Sequence, residues 1–182
     1  IKFMSGIIGS KLNIRGSGLV GSLGTDGQHL LSSGAGKTNV FETAAAGGKL
    51  LQVVTATDST SRSTTSTSYV TGSSTLDLDI TPATTSSRIF ITCSFSNNKN
   101  SGYMSLTVFR DGSAISGAGN LAEPRFSDGD WQSMNGFNWL DSPATTSSVE
   151  YRVYMKSSEG SNASYLNYNS TTGTITAFEI GA

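Results

Sequence analysis

Gly173-Thr174-Ile175-Thr176-Ala177-Phe178-Glu179-Ile180 is the stretch on which the fold of this chain turns. It follows the turn signal Asn169-Ser170-Thr171-Thr172 and is built of β-branched and aromatic residues, which suit a pleated surface. Successive side chains of a strand leave on opposite faces. Ile175 and Ala177 therefore share one face, and Phe178 and Ile180 the other. A strand that is apolar on both faces needs cover on both. We expect it at the centre of a β-sandwich, one face in the core and one toward an oligomer axis. Burial of both faces by its own chain is the competing expectation.

Upstream the same texture recurs in short lengths. Leu50-Leu51-Gln52-Val53-Val54-Thr55-Ala56 reads as a strand, and the Ser/Thr tract from Ser59 to Ser68 as an exposed or edge one. Leu76, Leu78 and Ile80 alternate with Asp77 and Asp79 in a half-buried strand that ends at Pro82. From Arg88 to Phe95, Ile89, Ile91, Cys93 and Phe95 are in phase, so the single cysteine is expected to be a buried thiol and not a nucleophile. Asn97 to Gly102 reads as a loop. Met104, Leu106 and Val108 share a face of the next strand, and Asp111-Gly112 is the strongest hairpin signal. A long loop, Ser116 to Asp130, holds Pro124 and the charged Glu123, Arg125, Asp128 and Asp130. Trp131–Leu140, Val149–Met155 and Ala163–Tyr168 supply further strands. Roughly eight to ten short strands between residues 48 and 182 fit an all-β head, a two-sheet jelly roll or related sandwich.

Residues 1–47 are different. Their apolar residues come in ones and twos (Ile7-Ile8, Leu12, Ile14, Leu19-Val20, Leu30-Leu31, Val40-Phe41) and are punctuated by glycines. No segment could form half of a two-layer core. We expect a thin, Gly-rich extended β shaft in which pieces of several copies wrap around each other, with Ala44-Ala45-Ala46-Gly47-Gly48 as a hinge into the next unit. A flexible tether is the alternative. No leader is expected, since Ile1-Lys2-Phe3-Met4 runs into Gly and Ser, and a start on Ile suggests a piece of something longer.

Composition narrows the function. Only 14% of the residues are charged and the formal net charge is −1, which gives no electrostatic footprint for nucleic acid or acidic membranes. No apolar run approaches the ~18–20 residues of a membrane span, so no membrane insertion is expected. Gly34-Ala35-Gly36-Lys37-Thr38 resembles the end of a phosphate-binding loop, but Leu31 stands where that motif needs a glycine. His29 is the only histidine and has no ligand set around it, so no metal and no cofactor are expected. Asp128 and Asp130, with Glu123 nearby, could do acid–base work on a glycoside. They rest on one Gly-rich loop, and a plain turn or a weak calcium loop explains them better. Tyr103, Trp131, Trp139, Tyr165 and Tyr168 form the more useful set. Aromatic faces amid Asn, Ser and Gly loops stack on sugar rings or anchor protein contacts. Trp139, beside Leu140 in a strand, is expected in the core or at a subunit contact.

The run from Gly16 to Gly36, with Gly24-Thr25-Asp26-Gly27-Gln28-His29-Leu30-Leu31-Ser32-Ser33-Gly34 at its centre, resembles the shaft pieces of bacteriophage tail fibres. Gly48–Val54, Ser66-Thr67-Ser68-Tyr69-Val70, Ile80–Ile89 and the closing strand resemble the C-terminal heads of marine phage fibres. The resemblance implies a homotrimeric, non-enzymatic virion protein, with residues 1–47 as stalk and 48–182 as a jelly-roll-like head. It implies partners in other virion proteins, through the stalk, and in a host surface glycan or protein. It transfers no binding residues. On chemistry, Trp131 with Asp128 and Asp130, then Tyr103 and Tyr165, are the expected receptor contacts, and Phe178, Ile180 and Trp139 the expected trimer contacts. A purely structural virion role and a polysaccharide depolymerase stand as the alternatives.

Overall fold

The computed structural model describes residues 7–8, 11–14, 18–19, 28–31, 40–43, 48–115, 117, 119–126 and 131–181. The chain divides into two units, Ile1–Ala46 and Gly47–Ala182. In the first, β1 (Ile7–Ile8), β2 (Lys11–Ile14) and β3 (Gly18–Leu19) form a small antiparallel sheet, and β4 (Gln28–Leu31) pairs with β5 (Val40–Thr43). The brevity of these strands follows from the isolated apolar pairs that nucleate them.

The second unit is an all-β sandwich of two antiparallel sheets. Its strands are β6 (Leu50–Asp58), β7 (Arg62–Thr64), β8 (Val70–Thr71), β9 (Asp77–Ile80), β10 (Arg88–Lys99), β11 (Gly102–Arg110), β12 (Ser113–Ala114), β13 (Arg125–Phe126), β14 (Trp131–Asp141), β15 (Val149–Ser157), β16 (Ser164–Leu166) and β17 (Gly173–Ile180). In the first sheet β10 is the axis. One edge pairs with β14 along its whole length, and the other pairs with β17 and then with β16. Outside these lie β6 on β17 and β7 on β16. The second sheet is built on β11 and β15, with β8 and β9 on the far edge of β15 and β12 and β13 on the far edge of β11.

β17 is central, as its composition predicts. Gly173, Ile175, Ala177 and Glu179 are buried, while the residues between them are half-exposed. Ile175 and Ala177 meet Ile89, Ile91, Cys93 and Phe95 of β10 in a core closed from the second sheet by Met104, Leu106, Val108, Tyr151, Val153 and Met155. Cys93 is a free thiol of this core, and burial pushes its pKa well up. The hairpin at Asp111-Gly112 has φ of +49° and +72°, both in the left-handed region that a two-residue hairpin turn requires.

One expectation is overturned. Asn97, Asn98 and Lys99 are the end of β10, not a loop. All three are at most 1% exposed. Polar residues continue a strand here because Asn97 and Lys99 point into a sandwich end that is itself polar, while Asn98 lies on the other face between Tyr165 and Gln132. Asn97 Oδ1, for example, accepts from Asn135 Nδ2 at 2.9 Å. Among the described residues no helix is long and apolar enough to cross a membrane.

Candidate functional site

The two ends of the sandwich differ. At one, Gly48 N–H donates to Gly181 O at 3.2 Å, beside the start of β10 and the end of β17. At the other, β10 ends opposite Trp131 and Ser164, and β11 begins opposite Phe126. The β10–β11 and β15–β16 connections gather there, far along β10 from the point where the chain enters.

This loop end is braced from inside by Lys99. Its Nζ, fully buried, donates to Ser157 Oγ at 2.7 Å and to the Asn162 carbonyl at 2.8 Å. Burial pushes the pKa of this ammonium down, with the Glu159 charge acting the other way. Ser157 Oγ also donates to Glu159 O at 2.6 Å, so one lysine and one serine fix the β15–β16 connection to β10. Gly102 allows the close approach. Its φ is +88°, and a Cβ there would lie 2.7 Å from Ser158 Oγ.

On the outer face of the first sheet, at this end, Tyr165, Asn98 and Gln132 stand in one cross-strand row. Tyr165 packs edge-to-face on Tyr168, with ring centroids 5.5 Å apart. Tyr168 opens the tight turn Tyr168–Ser170, in which Asn169 Nδ2 donates to Gln132 Oε1 at 3.2 Å and Gln132 Nε2 to Thr171 Oγ1 at 3.4 Å. Asn167, Asn169 and Ser170 all have left-handed φ, +54°, +56° and +57°. Each such non-glycine residue costs on the order of 1–2 kcal/mol. The surroundings impose it. Asn167 N–H donates to Ser96 O at 2.7 Å, Ser96 Oγ to Tyr168 O at 3.0 Å, and Asn167 Nδ2 to Asp58 O at 3.0 Å. The result is a rigid exposed turn carrying two half-exposed phenol rings, two amides and a hydroxyl, all uncharged. Such a group can stack on an apolar ring face and exchange its long, exposed hydrogen bonds for those of a ligand's hydroxyls or amides.

The residues expected from sequence are distributed as follows. Tyr165 is in this group. Tyr103 lies at the same end but on the second sheet, with the Arg125 guanidinium 5.0 Å from its ring centroid, so the two tyrosines face away from each other and do not form one surface. Trp131 is placed by its backbone at the start of β14, opposite Lys99. Asp128 and Asp130 lie outside the described residues, as does the phosphate-loop-like Gly34–Thr38. His29 is exposed on β4, opposite Glu42. Phe178 and Ile180 share the outer face of the first sheet, but Trp139 does not join them. It is in register with Ile91, on the inner face, half-buried against the core and against Gly117. Its neighbour Leu140 takes the outward position.

Sequence reasoning missed Gln132, Asn169 and Thr171 as members of the group. The available signal was Asn167-Tyr168-Asn169, an aromatic between two residues that tolerate left-handed backbone. It also missed a second half-exposed aromatic cluster, on the outer face of the second sheet. There Phe109 stacks on Tyr154 at 4.0 Å, and Tyr69 donates to Asn120 Oδ1 at 2.5 Å. Burial, helped by the Glu123 charge, pushes the Tyr69 phenol up to about 12.

No family model matches the chain, and no curated protein matches it. Among solved structures it is similar to the infectious bursal disease virus Gx strain structure, at 13% identity over 85% of this chain and 42% of that one, with a TM-score of 0.39. It is also similar to that of the Gt strain, at 11% identity over 85% of this chain and 43% of that one, with a TM-score of 0.36. The chain spans about two fifths of the length of each. At this level of identity and superposition the likeness has no bearing on activity.

Proposed function

We infer that this chain is a virion surface protein whose head, residues 48–182, attaches the particle to a host cell through its loop end, without catalysis. The observation that carries the reading is the Tyr168–Ser170 turn. Backbone strain of several residues is concentrated in an exposed turn that presents aromatic rings and uncharged amides, at the end of the sandwich opposite the chain entry. Strain of this kind persists where presentation matters more than local stability. The texture of residues 1–47, which resembles fibre shafts, supplies the stalk, and the chain acts as a homotrimer joined to other virion proteins through it. Each loop end binds a surface glycan or protein weakly, and linkage of copies raises the avidity by ~10²–10⁴. Trp131, which opens β14 at this end, belongs to the same proposal, as do Asp128 and Asp130, its neighbours in sequence.

The test is competition. Purified full-length chain should block adsorption of the virus that carries it, and Y165A/Y168A should lose most of that effect while keeping its thermal midpoint. Competition undiminished in the double variant would remove the turn from the site. No competition by the wild-type chain would leave the purely structural virion role, and release of reducing ends from host polysaccharide would point to a depolymerase.

A further inference from the structure

Among the described residues of 48–181, the large apolar side chains that stand exposed fall on two strands. Leu50, Leu51, Val53, Met134 and Leu140, exposed by 54%, 39%, 47%, 61% and 41%, all belong to β6 and β14 of the first sheet. The register shows why this is not scatter. Val53, Phe178, Phe90 and Leu140 form one straight row across β6, β17, β10 and β14 on the outer face, with the Phe90 and Phe178 rings 6.2 Å apart. Below it, at the chain-entry end, Leu50 pairs with Ile180. Above it come Thr55, Thr176, Thr92 and Asn138, then Thr57, Thr174, Ser94 and Gly136, with Met134 one row further on, opposite Ser96. The only charged side chain at a register position in these four rows is Arg88, at the entry-end corner.

We propose that this outer face, from the Leu50–Ile180 row to the Thr57–Gly136 row, is covered by a second copy of this chain. The proposal rests on the reading of the chain as an assembly of copies, and it names the surface. Charge argues for a like partner. A face without charge gives nothing for a charged partner to pair with, whereas threonine, serine and asparagine each donate and accept, so the same residue types on a neighbouring copy can bond to them. A whole-chain net charge of −1 sets no repulsion against self-association. Size agrees. Four strands ~4.8 Å apart and four rows ~6.8 Å deep give a plane of roughly 500 Å², with more accessible surface once side chains are counted. A standard interface takes ~800 Å² per partner. The covered rows stop below Tyr165 and Tyr168, so the loop-end turn stays clear at the rim.

The experiment uses the full chain with Thr55→Cys, a position exposed in the single copy and inside the covered rows. The native Cys93 thiol is buried and stays silent. Labelling of T55C by a thiol reagent is timed, and mass is measured by sedimentation, with and without V53E/L140E; circular dichroism checks that each variant is folded. We expect T55C to sediment as a multimer and to label at least about tenfold more slowly than T55C/V53E/L140E. Fast labelling in both would overturn the proposal, because the face is then bare. Slow labelling in a monomer would also overturn it, because the chain then covers its own face. A multimer that persists in the charged variant while labelling becomes fast supports the proposal, with residues 1–46 holding the copies together. None of these readouts involves a host, so loss of the attachment reading would leave them intact.

Discussion

At the residue scale, the most informative side chain of the closing strand is one that its apolar pattern hides. Glu179 points inward and is fully buried, yet its carboxylate accepts from Gln52 Nε2 at 2.6 Å and from Ala83 N–H at 2.6 Å. Burial works to raise its pKa, but these bonds and one from Ser87 outweigh burial and hold it below the ordinary value. Asp58 follows the same rule, with Ser73 Oγ donating at 2.5 Å and Thr60 N–H at 2.8 Å. A depressed folded pKa stabilises above the unfolded value, about 4, and that stability is lost as pH falls through the folded value. Glu179→Gln should therefore cost about 1–3 kcal/mol at neutral pH and flatten the loss of stability below about pH 4. Urea midpoints measured across that window check both. A second prediction concerns Gly136, where a Cβ would sit 2.4 Å from the Cys93 carbonyl. Gly136→Ala must part β10 from β14 and should cost about 1–3 kcal/mol, read as a lower thermal midpoint.

At the scale of elements, the strands of the sandwich were legible wherever an apolar alternation marked one buried face: β9, β11, β15 and β17 all lie where Leu78, Leu106, Val153 and Ile175 predict them. The end of β10 was not, because Asn97, Asn98 and Lys99 are buried by partners from distant segments, and nothing local announces Ser157 or Asn135. The candidate site was legible only in part for a similar reason. Tyr165 was named, but the row that brings Gln132 to it runs across β10, and the turn that ends in the left-handed Ser170 is anchored at Asn167 and Tyr168 by Ser96 and Asp58. That anchoring makes a prediction of its own. Ser170→Gly removes the left-handed penalty and should raise the unfolding free energy by ~0.5–1 kcal/mol. Adsorption, measured alongside, should be unchanged, since Ser170 holds no side-chain bond to the aromatic pair.

At the scale of the molecule, the two faces of the first sheet divide the work: one makes the core, and the other carries an apolar row at the entry end and the Tyr165–Tyr168 pair at the far end. If the copies separate, each loop end is left intact but alone. V53E/L140E, where it yields single chains, should then adsorb ~10²–10⁴ less well to cells while its loop end remains able to bind. Particle-scale adsorption and a one-site measurement on immobilised host surface would show the split. The pairing of Gly48 with Gly181, and of Gly181 N–H with Lys49 O at 2.8 Å, has a further consequence. Entry and exit of the head sit side by side, so residues 48–181 have the geometry of a cassette: spliced into a surface loop of an unrelated scaffold, they would demand no gap wider than neighbouring strands already span.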